Sequence, residues 1–431
     1  MVLKTKWLLS KNKSCSCTMV GVYRAVSYCP GVAVIFHSPQ GCAHVATTME
    51  LGSSFRVAAD KGRNHQMTVP LISSNLREKD TIFGGIGRLH QCISYVMKTY
   101  KPQCLFIVSS CVAGVIGDDV EQEVDMAEEE YGIPVICMPF AGFLGGEYSD
   151  GYYKTVDAII SRFFAPQEKV PGRVLLLGDQ MGPEGQYARE VKRLLALFGL
   201  EAHYQFPGFV PFEEWKHISS ASLSVLLGTA GQPGGMLEVA KRLEKDYDIP
   251  TLGDVYPVGW ENTCQWIRAL ASFLKEEEKG EAIIAKEEAR IQQAVSTYLP
   301  VTEGKKVVIA VGRGPRWYHP VETLTSLARL HMDIQGVVFF DNLTEEEKTT
   351  FRQQVATFGP VSCLDMKEGQ TLIDAADVCV TTNEIFNTKT KQMFIPMVPL
   401  TGTDGEILQL RALYRLLCRY GNKGGIAYVT V

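Results

Sequence analysis

Cys104-Leu105-Phe106-Ile107-Val108-Ser109-Ser110-Cys111-Val112-Ala113-Gly114-Val115-Ile116-Gly117-Asp118-Asp119 is a short apolar run that breaks into a turn of small residues and ends on paired aspartates. Residues 104–109 have the length and aliphatic content of a buried strand. Asp118 and Asp119, following Ile-Gly, have the chemistry of capping and helix-dipole partners for a helix that begins there. Outward from this stretch the same alternation repeats. Residues 32–36, 134–138, 173–177, 223–227, 306–311 and 336–340 read as strands. Between them Val191, Leu194, Leu195 and Phe198 fall at helical spacing, as do Met236, Val239, Ala240, Leu243 and Tyr247. Ile407, Leu410, Leu413 and Leu417 repeat that spacing near the C-terminus, so the chain is expected to end on a helix docked against a sheet. Strands alternating with amphipathic helices build mostly parallel sheets, and the fold class read from them is α/β.

The chain has 431 residues, 46% hydrophobic and 21% charged, which is more than one core organises. Ala165-Pro166-Gln167-Glu168-Lys169-Val170-Pro171-Gly172 has the composition of a linker. A second break follows a charged helix over residues 275–298, closed by Pro300 and Gly304. Three Rossmann-like α/β domains are expected: 1–168, 169–301 and 302–431. A formal net charge of −5 gives no general reason to expect nucleic acid or anionic membrane as a partner. Twelve cysteines without a secretory signal point to a reducing cytoplasm. The apolar run Trp7-Leu8-Leu9 is too short for a membrane span.

Three of those cysteines lie in glycine-containing turns: Ser16-Cys17-Thr18-Met19-Val20-Gly21, Ser38-Pro39-Gln40-Gly41-Cys42, and the Cys111 turn quoted above. Thiolates gathered from separated loops are ligands for soft metals or iron-sulfur clusters. Small residues let backbone approach a cluster and aim N–H groups at its sulfides. Cys15, two residues from Cys17, is the rival first ligand, and Cys29, between two ligand candidates, reads as a core thiol. Cys92, Cys104, Cys137, Cys264, Cys363, Cys379 and Cys418 fall within or beside expected helices and strands, where a free thiol packs as a small hydrophobe. His44 reads as an outer or interior residue rather than a ligand. There is no G-x-x-x-x-G-K-[ST] loop, and Phe83-Gly84-Gly85-Ile86-Gly87 lacks the glycine order of a dinucleotide site.

The spacing of Cys17, Cys42 and Cys111, with Glu78-Lys79-Asp80-Thr81-Ile82-Phe83-Gly84-Gly85 between them, resembles the component 1 subunits of nitrogenase and the nitrogenase-like reductases. Further echoes are Gly142-Phe143-Leu144-Gly145, the stretch from Arg242 to Pro250, and Gly312-Arg313-Gly314-Pro315-Arg316. The resemblance implies three α/β domains and pairing with a homologous component 1 subunit, in an α2β2 heterotetramer. It also implies an iron-sulfur cluster shared with that partner, either of the 8Fe-7S P-cluster type or 4Fe-4S. Cys17, Cys42 and Cys111 would be this chain's cluster and metal ligands. The electrons would come from a separate ATP-hydrolysing iron protein, which accounts for the missing phosphate loop.

Catalytic nitrogenase subunits hold a second metal cluster through a cysteine in the second domain and a histidine near the C-terminus. Here the corresponding loop is Gly228-Thr229-Ala230-Gly231-Gln232-Pro233-Gly234-Gly235, and no histidine follows His331. The chain is therefore similar to the β-type subunit, relaying low-potential electrons to a substrate-reducing site. The alternatives are a substrate-binding subunit of a tetrapyrrole reductase-like enzyme, with Gln232 facing an organic substrate, and a non-catalytic scaffold for iron-sulfur cofactor assembly.

Overall fold

The computed structural model describes residues 17–49, 68–229, 235–313, 318–386, 388–396, 398–419 and 426–428. Cys15, Gly231-Gln232-Pro233-Gly234 and Gly314-Pro315-Arg316, which the sequence singles out, lie outside the described residues.

The first sheet contains β1 (Val32–His37), β2 (Leu71–Ser73), β3 (Cys104–Ser109) and β4 (Val135–Ala141) in the order β2-β1-β3-β4. Every pairing in it is parallel. All six residues of β1 are buried, as are the first five of β3. Unbroken apolar runs of this kind suit strands covered on both faces by helices. Ala33, Ile35, Leu105 and Ile107 pack with Leu89, Ile93 and Val124 of the helices Ile86–Tyr100 and Val120–Tyr131. The second sheet, ordered β6-β5-β7, is built of β5 (Val170–Leu177), β6 (Glu201–Phe206) and β7 (Ala221–Leu226).

The third sheet comprises β8 (Lys306–Val311), β9 (Asp333–Phe339), β10 (Cys363–Asp365), β11 (Val378–Thr381), β12 (Lys391–Phe394) and β13 (Ile426–Tyr428). Its order is β10-β9-β8-β11-β12-β13, parallel throughout. The chain therefore winds outward from β8 first to one side and then to the other, the doubly wound arrangement.

The described residues form two compact units. One contains those of Met1–Pro183, Ala202–Val225 and Gly235–Thr251; the other those of Glu184–Glu201, Leu226–Gly234 and Leu252–Val431. The first sheet lies in the former and the third in the latter. Among the described residues no helix is long and apolar enough to cross a membrane.

The seven expected strands coincide with β1, β3, β4, β5, β7, β8 and β9 to within a few residues. Two terminal features differ. The helix Gly402–Leu417 is present, but β13 follows it and pairs with β12, so a strand is the last described element. A three-residue edge strand carries too few residues to show a period. The charged helix spans Glu277–Thr302 and runs through Pro300. Pro300 has no N–H to donate to Ser296 O, so one helical bond is missing just before the end, which Glu303 N closes on Leu299 O at 3.0 Å.

Candidate metal-cluster site

Cys17 is placed by a helix crossing at which backbone approaches backbone. The helix Thr18–Val26 packs on the helix Tyr148–Phe163 through Gly21 and Gly151. A Cβ on Gly21 would stand 2.0 Å from Tyr148 O, and one on Gly151 2.0 Å from Thr18 O. Only glycine permits that backbone approach. Cys17 N-caps the first helix in an extended conformation and bridges Glu147 antiparallel. Glu147 and Asp150 form a reciprocal capping box that starts the second helix. The buried Thr18 hydroxyl donates to Gly142 O at 2.9 Å. Gly142, at φ +53°, lies so close to Cys111 that a Cβ there would be 2.8 Å from Cys111 N. Short backbone contacts thus tie the Cys17 segment to the Gly142 turn and that turn to Cys111.

Cys111 is the first residue of the helix Cys111–Ile116, whose cap Ser110 accepts from Ala113 N at 3.2 Å. Ser110 N in turn donates to His37 O at the end of β1, at 3.0 Å. Cys42 lies in the first turn of the helix at residues 40–49. All three thiols are half-buried. Burial, followed by the charges of Cys17 and Cys111, pushes the Cys42 thiol above the ordinary range, while a Ser38 hydrogen bond opposes the rise. Cys42 is therefore within electrostatic reach of both Cys17 and Cys111. Three thiolates so placed repel, and a positive centre between them removes the penalty.

Among the described residues no group of three or more His, Cys, Asp or Glu side chains is arranged to grip a single metal ion. A polynuclear cluster makes a different demand, because its cysteines bind separate irons across an inorganic core. The donor set, the half-burial and the side-chain-free approach at Gly142 fit that demand. The other cysteines separate from this group. Burial pushes Cys29, Cys92 and Cys379 up to about 12 and Cys264 to about 11, the behaviour of inert core thiols. Cys418, expected to pack as a small hydrophobe, is exposed at the end of its helix. His44 is exposed on the helix that carries Cys42.

The paired aspartates divide their work. Asp119 caps the helix Val120–Tyr131 by accepting from Gln122 N at 3.2 Å, as its position predicts. Asp118 does something the sequence does not announce. Its Oδ1 accepts from Gly85 N at 2.8 Å and its Oδ2 bonds His37 Nε2 at 2.8 Å, while His37 Nδ1 reaches Ser74 Oγ at 2.9 Å. His37 is fully buried, and burial lowers its pKa against the opposing pull of Asp118. Asp80 folds the preceding segment by accepting from Arg77 N at 2.8 Å and Arg88 Nε at 2.7 Å. Asp118 therefore ties the Glu78–Gly85 segment to the loop behind Cys111. The one signal for His37 in the sequence is a histidine closing an otherwise apolar strand.

Large apolar side chains stand in solvent on the same elements. Val45 and Met49 are on the Cys42 helix, Val115 on the Cys111 helix, and Phe143 and Leu144 on the Gly142–Gly145 turn. Ile82 and Phe83 project from the short helix Asp80–Phe83, which packs beside the Cys111 helix, and Phe83 is 85% exposed. A face this apolar around half-buried thiols is the kind of surface that another protein covers.

The profile of the family "Nitrogenase component 1 type Oxidoreductase" matches residues 17–398. The nitrogenase iron-molybdenum cofactor biosynthesis protein NifE of Clostridium pasteurianum is 31% identical over 303 residues, covering 67% of this chain and 63% of that protein. NifE of Nostoc sp. is 26% identical over 325 residues, 71% of this chain and 64% of that one. The nitrogenase molybdenum-iron protein alpha chain of Methanosarcina barkeri is 27% identical over 299 residues, 68% and 54% respectively. The chain thus spans less than two thirds of the length of these relatives. The solved structure of nitrogenase Cp1 at pH 5 shares the fold, with a TM-score of 0.62 over 94% of this chain and 88% of that one at 18% identity. With the family profile matching residues 17–398, the chain belongs to the nitrogenase component 1 type oxidoreductases.

Proposed function

We propose that this chain is a cluster-bearing subunit of a hetero-oligomeric, nitrogenase-like oxidoreductase. Cys17, Cys42 and Cys111 hold one side of an iron-sulfur cluster, 8Fe-7S or 4Fe-4S, and a homologous subunit completes the shell. The observation that supports the reading is the approach of half-buried Cys17 and Cys111 to half-buried Cys42, with exposed apolar side chains on the same elements. When bound, such a cluster supplies one-electron transfer at low potential. The chain's own residues fix the thiols through the Gly21–Gly151 crossing and the Gly142 contact. Val45, Phe83, Val115 and Leu144 exclude water once a partner covers them. Electrons arriving from an ATP-hydrolysing iron protein would pass to a substrate-reducing site. The β-like assignment rests on the absence of the anchoring cysteine and histidine.

The NifE relatives favour a second reading, a scaffold on which a cofactor precursor is built and from which it is released. One experiment separates the two. The anaerobically purified complex is mixed with an iron protein, ATP and reductant, and reoxidation of its cluster signal is followed with candidate substrates. ATP-dependent turnover supports the relay. Loss of metal to an apo-acceptor without turnover supports the scaffold and refutes the relay.

A further inference from the structure

The second compact unit contains a cleft of about 420 Å³, within the ~300–1,000 Å³ typical of small-molecule sites. It lies where the helices Trp260–Leu274, Pro320–Arg329 and Gly402–Leu417 meet near their N-termini. Four carboxyl groups line it: Asp254, Glu261, Glu322 and Glu406. Among the described lining residues there is no lysine or arginine. Two aromatic rings, Tyr256 and Trp260, form part of the wall.

Two deeply buried polar atoms of this lining lack a hydrogen bond. Glu406 is 8% exposed. Its Oε2 accepts from Ser326 Oγ at 2.9 Å, but its Oε1 has no hydrogen bond, and the Arg329 guanidinium stands off at 3.9 Å. Thr229 is 5% exposed, and its Oγ1 is likewise without a partner. Buried acceptors left in this state cost stability and are normally explained by something that binds them. Glu322 is held by Asn262 Nδ2 at 2.9 Å and fits only because Gly259 has no Cβ; one there would stand 2.6 Å from the carboxyl carbon. Burial, and then Glu406, pushes Glu322 up to about 8, while burial pushes Glu406 to about 7. These are carboxyls that a cation would help to ionise.

We propose that this cleft binds a small organic cation bearing ammonium groups, of the diamine or polyamine class, independently of the cluster reading. An ammonium group donates to Glu406 Oε1, Glu322 and Thr229 Oγ1. The methylene chain and its charge lie against Trp260 and Tyr256, where aromatic faces attract cations. An anionic ligand would meet four carboxyls, offset only by Arg329 at 3.9 Å from Glu406 Oε1, by His319, whose pKa burial lowers, and by the partial positive charge of the helix N-termini. Among the described residues a bare divalent ion finds no set of three ligating side chains placed to hold it.

The test is isothermal titration calorimetry of the full chain, co-expressed and purified with its partner subunit, with putrescine and spermidine, at a pH above the value of about 8 for Glu322. 1,4-Butanediol serves as the uncharged control and magnesium chloride as the inorganic one. The expected result is saturable diamine binding, none by the diol, and at least about a tenfold loss in Glu406→Gln and Glu322→Gln, since each removes a charge-assisted hydrogen bond. Trp260→Leu should lose several-fold. Should either carboxyl variant fail to fold by circular dichroism, Thr229→Val removes an acceptor at nearly constant volume and should also weaken binding. No saturable diamine heat to about 10 mM, undiminished affinity in folded variants, or competition by magnesium would overturn the proposal.

Discussion

Replacing Asp118 with alanine should unsettle the first unit more than any other single truncation near the cysteines. The side chain is 4% exposed and serves two buried donors, Gly85 N–H and His37 Nε2–H, each at 2.8 Å. In Asp118→Ala both lose their acceptor, and a buried donor left unsatisfied costs about 1–3 kcal/mol. The expected loss is therefore about 2–6 kcal/mol. Asp118→Asn is the informative control. Its Oδ1 still accepts from Gly85, and its Nδ2 donates to His37 Nε2 once the ring proton moves to Nδ1, where Ser74 Oγ accepts it. That variant should lose only about 1 kcal/mol. The pH dependence has a definite sign. Burial depresses the folded pKa of His37 below 6.5, so on acidification the unfolded chain takes up this proton first. The stability linked to His37 is full above 6.5 and is lost as pH falls through the depressed value. Asp118 raises that value, so both substitutions should extend the loss toward acid. Urea unfolding followed by circular dichroism near neutral and mildly acidic pH reads all of this. An Asp118→Ala protein within about 0.5 kcal/mol of wild type, with an unchanged pH profile, would refute the reasoning.

Cys42→Ala should abolish or convert the cluster, whereas Cys363→Ala, at a half-buried site on β10 in the other unit, should leave it intact. Iron quantitation and low-temperature electron paramagnetic resonance decide, and equal iron with identical spectra in Cys42→Ala would remove the assignment. Gly151→Ala forces a methyl onto Thr18 O; overpacking of this kind costs about 1–3 kcal/mol or more, and the thermal midpoint should fall with cluster occupancy. Expressed alone, the chain should aggregate or self-associate through Phe83, Val115 and Leu144, and co-expression with its partner should give a brown complex; a monodisperse, fully loaded monomer in light scattering contradicts this. Glu322 has a raised pKa, so wild-type stability should decline as pH rises from 4.5 through about 8. Glu322→Gln should flatten that decline in chemical denaturation, and an unchanged slope counts against the burial argument.

The strands that hold the sheets together were legible because burial on both faces leaves an unmistakable apolar run, as in residues 32–37 and 104–109. β2, β6, β10 and β12 were not, for two physical reasons. They are three to six residues long, and β6 reads Glu-Ala-His-Tyr-Gln-Phe, while β12 reads Lys-Gln-Met-Phe. Polar residues on such strands satisfy local partners, as Gln392 does with Ile385 N and O, so the hydrophobic period disappears. In the site, the three cysteines announce themselves by residue type and glycine context. The roles of His37 and Asp118 do not, because they come from positions 81 residues apart. Helix caps such as Asp119 act within one turn and are readable; contacts between distant loops exist only once the sheet has brought its strand ends together.

The contact between Gly21 and Gly151 leaves a thiol with a fixed address. Most packed interfaces accommodate small movements by switching rotamers, but a seam of backbone against backbone has none to switch. Cys17, bridged to Glu147 beside that seam, should hold the same position whether or not anything is bound to its sulfur. Loading therefore orders little at this residue, and the entropy that flexible ligands surrender on metal capture is largely settled when the chain folds. A change in the charge of a bound group would find the same rigid frame, and the structural adjustment to it would fall on other ligands.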